Sequence, residues 1–175
     1  MPFRKTIGID MNIVYDGLSL DLKAHRSFCD AGCSNVEYLN PKPVSALLKQ
    51  IKDAKGGTGL RTLYFDGLLH LGCNFAAGLT DEEAPYKVTL VSSTPQTTIP
   101  GDDSSRVIPL RATQHEWSHS YGIDFDPYLL PVGHQKRCPA PCIMMKTYQN
   151  NPEYQDSVWC DRCRDIIWAH RTDHR

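Results

Sequence analysis

His115-Glu116-Trp117-Ser118-His119 is an H-E-x-x-H sequence in a stretch whose composition suits a helix. On a helix, residues four apart lie one above the other. The two imidazoles therefore converge on one point with a carboxylate beside them. Zinc accepts neutral imidazole nitrogen at about 2.0–2.1 Å and, in catalytic sites, keeps one position for a water that it acidifies. Glu116, one residue past the first ligand, is placed to take that water's proton. Two solvated histidines and a glutamate on a helix surface are the plainer alternative, and the surrounding sequence decides between them.

The helix carrying this stretch is expected to start between Ser105 and Pro109, because proline is tolerated only in the first turn. Leu110, Thr113, Trp117 and Tyr121 form its core-facing stripe, and Gly122 suits a left-handed cap at its end. Before it, 93–105 is turn chemistry and reads as an exposed loop. Arg61 to Phe65 and Tyr86 to Val91, rich in aromatic and β-branched residues, read as strands. Leu71 to Gly78 is either a short edge strand or a loop. Pro43, then Val44, Leu47, Leu48 and Ile51 on one stripe, predict an amphipathic helix over 43–54 closed by Gly56 and Gly57. Alternation of Ile7, Ile9, Met11 and Ile13 with smaller or polar residues predicts a first strand over 6–14. Regular structure is expected to be sparse over 123–156, and a last helix runs from about Ser157 to His170, anchored by Val158, Ile166 and Ile167.

At 175 residues and 41% hydrophobic content, the chain has enough material for one compact unit. A net charge of −1 with basic residues dispersed disfavours nucleic acid and an anionic membrane as partners. No apolar run near the N-terminus suits a secretory signal, and none is long enough for a membrane span, so a cytoplasmic protein is expected. Seven cysteines in that compartment point to metal more than to disulfides. Cys138, Cys142, Cys160 and Cys163 form C-x3-C followed by C-x2-C, two close thiol pairs suited to a closed, sulfur-only zinc site that stabilises a fold. Two disulfides or four buried thiols are the alternative. For Cys29, Cys33, His70 and Cys73, a disulfide or free thiols are favoured over a third metal site.

Taken together, these residues resemble the archaemetzincins, compact zinc metallopeptidases of the metzincin clan. That family joins H-E-x-x-H-x-x-G-x-x-H to a downstream C-x4-C-x-M and a C-x-x-C. Here His115 to Gly122 matches as far as the glycine, Cys142-Ile143-Met144 looks like the C-x-M element, and Cys160-Asp161-Arg162-Cys163 looks like the closing pair. The resemblance covers roughly residues 86–165. It implies an α+β zincin fold in which an N-terminal mixed sheet with helices, the zinc helix among them, leads to an irregular C-terminal part holding a Met-turn at Met144, a structural zinc site and a terminal helix. One catalytic domain over 1–175 is expected, with subdomains 1–122 and 123–175. Where the family has its third histidine, this chain has Phe125 between Asp124 and Asp126, and the next histidine is His134. An inserted loop of about nine residues, Phe125 to Gly133, restores the family's order, so His134 is favoured as third ligand over either aspartate.

The expectation is therefore a zinc-dependent peptidase with one catalytic and one structural zinc, acting on a peptide or protein substrate. His115, His119 and His134 hold the catalytic metal and Glu116 is general base. Tyr148 is the candidate second oxyanion donor, with Tyr121 and Tyr128 as alternatives, and an extended substrate pairs with an edge strand near 72–79. The contrasting reading is an inactive, zinc-stabilised binding module with the same fold.

Overall fold

A computed structural model describes residues 7, 14, 17–28, 37–55, 59–71, 74–76, 78–81, 88–93, 96–97, 106–107, 109–123, 138–139, 142–144 and 159–172. It is α+β, with three helices and small sheets. The described strands are β1 (Arg26–Phe28), β2 (Glu37–Leu39), β3 (Arg61–Phe65), β4 (Leu68–Leu71), β5 (Asn74–Ala76), β6 (Gly78–Thr80), β7 (Val88–Ser92), β8 (Gln96–Thr97) and β9 (Arg106–Val107). The helices are α1 (Pro41–Lys55), α2 (Pro109–Ser120) and α3 (Asp161–Ala169). One mixed sheet has the order β1-β2-β4-β5 and another β3-β7-β6, while β8 and β9 pair as a two-stranded ladder.

The sheet β3-β7-β6 positions the histidine helix. Its central strand β7 runs parallel to β3 and antiparallel to β6, and all five of its residues are buried. A strand buried on both faces needs a layer on each side. Val88 and Leu90 share a core with Val44 and Leu48 of α1, whereas Val91 packs on Ala112 of α2. Alternation along the strand thus sends even-numbered β7 residues to α1 and odd-numbered ones to α2. β3 alternates likewise, with its odd-numbered Leu63 and Phe65 in the α1 core while Thr62 and Tyr64 hydrogen-bond Trp117 and Thr113 of α2. The α2 side of the sheet is consequently polar. Thr113 of α2 is buried against that face, and Arg111, Gln114, Ser118 and Ser120 are buried elsewhere on the helix.

A second core lies on the other side of α2 and gathers Tyr121, Ile123, Cys138, Cys142, Ile143, Met144, Trp159, Cys163 and Ile167. Its described residues between 138 and 144 contain turns but no helix or strand. The chain there is held by side-chain packing and by α3.

Several expectations are corrected. Leu110 is 58% exposed, so it is no part of the core stripe; Thr113 and Trp117 do meet the sheet, but through hydrogen bonds. Within the 93–105 stretch, Gln96 and Thr97 form the strand β8, paired antiparallel with β9. Of the strand expected over 6–14, only Ile7 and Val14 are described: Ile7 is buried in helical conformation and Val14 is exposed without regular structure. Leu71 to Gly78 contributes parts of three strands, β4, β5 and β6. The last helix begins at Asp161, four residues later than expected, with Cys160 as its N-cap. Helix α1 begins two residues before Pro43, at Pro41, both prolines falling in the first turn. Among the described residues no helix is long and apolar enough to cross a membrane.

Candidate metal centres

Helix α2 starts on Pro109 and stops at Gly122, whose φ of +86° is the left-handed turn anticipated for it. Between these ends His115 and His119 point the same way, with Nε2 atoms 3.1 Å apart. Two nitrogens held about 2.0–2.1 Å from one tetrahedral ion stand about 3.3 Å apart. The observed separation is therefore near that of a shared ligand pair. His115 Nδ1 lies 3.0 Å from the carbonyl oxygen of Ile143. A carbonyl only accepts, so Nδ1 carries the proton and the Nε2 lone pair of neutral His115 faces the site. That is the tautomer a metal ligand needs.

The Glu116 carboxylate completes the group: ligand atoms of His115, Glu116 and His119 all lie within 4.8 Å of one another, and all three residues are buried. Thr80 of β6 holds Glu116 from the sheet side. Its Oγ1 is 2.7 Å from the Glu116 carbonyl oxygen and 3.1 Å from Oε2, and Thr89 Oγ1 stands 3.4 Å behind it. Gly78, two residues before Thr80 on the same face, leaves the space that the carboxyl arm occupies. A Cβ at Gly78 would sit 2.6 Å from Glu116 Cγ. β6 is the edge of its sheet, so the carboxylate is pressed against an edge strand.

The second group consists of Cys138, Cys142, Cys160 and Cys163, whose sulfurs also lie within 4.8 Å of one another. All four are free thiols. Cys138 Sγ to Cys163 Sγ is 3.4 Å and Cys142 Sγ to Cys163 Sγ is 3.9 Å. A disulfide requires about 2.05 Å. Four sulfurs about 2.3 Å from a tetrahedral zinc are about 3.8 Å apart, so the spacing fits the metal and not a bridge. Hydrogen bonding among the sulfurs splits the set: contact with Cys142 pushes the Cys138 thiol up, and Cys138, Cys142 and Cys160 together push Cys163 up. Contact with Cys138 is the main cause lowering both Cys142 and Cys160. A dication bound at the four sulfurs would displace the protons they hold.

His134 and Tyr148 lie outside the described residues, as do Asp124, Asp126, Tyr128, Cys29, Cys33 and Cys73. Tyr121 is buried in the cysteine-side core, where it serves as a packed aromatic. Thr80, Gly78, the Ile143 carbonyl and Trp159 are functional neighbours that local sequence pattern does not reveal, since each acts across 28 or more positions of chain. An open cavity of about 480 Å³ lined by Asp21, Lys23, Arg26, Glu37, Tyr64 and Asp66 includes none of the histidine or cysteine residues.

The fold and site thus define an α+β protein with two groups of side chains suited to metal ions, one of histidines and a glutamate, one of cysteines. Compared with models of known protein families, with curated proteins and with solved structures, the chain gives no match.

Proposed function

We propose that this chain is a zinc-dependent metallopeptidase of the metzincin type, acting on peptide or protein substrates in the cytoplasm. The observation that carries the reading is the buried convergence of the His115 and His119 Nε2 atoms at 3.1 Å, with the Glu116 carboxylate beside them against an edge strand. His134 is the proposed third protein ligand and Met144, in a buried turn next to Ile143, the proposed Met-turn residue.

A zinc ion at these histidines supplies an acidified water and polarises the scissile carbonyl. The Ile143 carbonyl keeps His115 in the ligating tautomer. Glu116 accepts the water's proton on its carboxylate and returns it to the leaving amine. Thr80 keeps that carboxylate from swinging away from the histidines. An extended substrate pairs with the outer edge of β6 by main-chain hydrogen bonds, which brings its scissile bond beside Glu116. Tyr148 is the proposed second donor to the developing oxyanion.

The test compares Glu116→Gln with the unaltered chain on a peptide library, with bound zinc counted in both. Cleavage is expected to fall by about 10²–10⁴-fold while zinc content stays the same. Undiminished cleavage would sink the proton-shuttle assignment. Unaltered, zinc-loaded protein with no chelator-sensitive cleavage would leave the inactive binding module as the better reading.

A further inference from the structure

The two metal groups are joined at two points, and each joint begins one residue from a cysteine. Cys142 is followed by Ile143, whose carbonyl accepts the hydrogen bond from His115 Nδ1 at 3.0 Å. Cys160 is preceded by Trp159, whose Nε1–H donates to Ser118 Oγ at 2.8 Å, and Ser118 immediately precedes His119. Ser118 Oγ in turn donates to the Gln114 carbonyl at 2.7 Å, so the indole is tied into α2 itself. Ile143 and Ser118 are fully buried and Trp159 is 2% exposed, so water does not compete for these bonds. Helix α3 opens at Cys160 and runs to His170, whose ring lies against Gly122 at the end of α2. Both cysteine pairs therefore lead, within one residue, to a hydrogen bond on the histidine helix.

Regular backbone does not hold the Ile143 carbonyl where it is, because the described residues 142–144 form only turns. Its position follows from the core packing of Ile143 and Met144 together with where the Cys142 sulfur is anchored. A tetrahedral ion would fix all four sulfurs at one set of distances. We propose that the four-cysteine metal site is the positioning element for the histidine site. Loading the cysteines locks the Ile143 carbonyl and the Trp159 indole against α2, and the histidine site binds its own metal tightly only in that state. The two metals bind with positive cooperativity, the cysteine site filling first. Outer partners of metal-binding histidines contribute about 10–100-fold in metal affinity, which sets the expected size of the coupling. By linkage, metal at the histidines tightens the cysteine site by the same factor. This inference concerns metal occupancy, goes beyond the peptidase reading and stands or falls without it.

The experiment is metal binding to the full chain. Cobalt is titrated in while thiolate charge-transfer absorption reports the cysteine site, elemental analysis counts total metal, and His119→Ala identifies the histidine-bound ion. Cys142→Ser is expected to weaken the thiolate signal to what three sulfurs give and, in addition, to weaken cobalt binding at the histidines by about 10–100-fold. A folded Cys142→Ser chain whose histidine site keeps its full affinity overturns the proposal. If far-ultraviolet circular dichroism shows that this variant does not fold, Trp159→Phe decides, since it keeps every ligand and most of the packing. There the thiolate signal is retained and histidine-site affinity drops about 10-fold; unchanged affinity overturns the coupling.

Discussion

Glu116 is confined by two residues that have no chemistry of their own to offer. Gly78 has no side chain because the Glu116 arm fills that place, 2.6 Å from where a Cβ would be. The clashing atoms are Cγ, Oε1 and Cδ of the Glu116 side chain and not backbone, so Gly78→Ala displaces the carboxylate. We expect its thermal midpoint to stay near that of the unaltered chain while peptide cleavage falls about 100-fold, the penalty of a misplacement near 1 Å. A variant with full activity would show that Glu116 does not work from this position. Gly122 is the opposite case. Its φ of +86° is a backbone constraint that a side chain strains, and the His170 ring lies 2.7 Å from a built Cβ, so Gly122→Ala should cost about 1–3 kcal/mol of stability, read by denaturant unfolding. A loss under a few tenths of a kcal/mol would contradict this. The cap role of Gly122 was legible locally, whereas Leu71 to Gly78 stayed open between strand and loop, because the neighbour that explains Gly78 lies far along the chain.

Helix α2 is held to β6 and β3 by hydrogen bonds more than by an apolar stripe. Hydrophobic periodicity located the helix and placed Thr113, Trp117 and Tyr121 inward but failed at Leu110, which projects outward, while Thr113 and Trp117 bond Tyr64 and Thr62. Periodicity records only apolar burial, and a polar sheet face selects polar partners. Thr80 is the tightest of these links, reaching both the carbonyl and the carboxylate of Glu116. Thr80→Val keeps its shape and removes the hydroxyl, and about 1 kcal/mol of stability should go with it. Turnover should drop with little change in KM, and Thr80→Ser should restore it. Loss of stability without loss of turnover would leave Thr80 a purely structural residue. The Lys49–Asp81 ion pair at 2.9 Å clamps α1 just past the end of β6 and so steadies the same edge strand.

For the whole molecule, the two cores have different means of cohesion. The α1 core is a layer of Val, Leu and Phe against a sheet, while the α3 core is built around four sulfurs. Chelation should therefore lower the thermal midpoint and expose α3 to hydrogen exchange before α1; simultaneous exposure of both would argue against a metal-held core. Metal binding should also release protons from Cys138 and Cys163, the two thiols whose neighbours hold their protons on. Because metal and proton compete for those sulfurs, affinity should rise with pH. Calorimetry in buffers of different ionisation enthalpy measures the release, and none would mean that the cluster enters binding already fully ionised. From sequence alone came what is local: H-E-x-x-H on a helix bounded by Pro109 and Gly122, the paired cysteines, α1, and the strands β3 and β7. Spacing along one element is enough to bring those groups together or to form those elements. The tertiary structure decided which sheet face meets α2, which strand confines Glu116 and which carbonyl orients His115, because those are contacts between segments 28 to 55 positions apart, set by how layers pack and invisible to any local period.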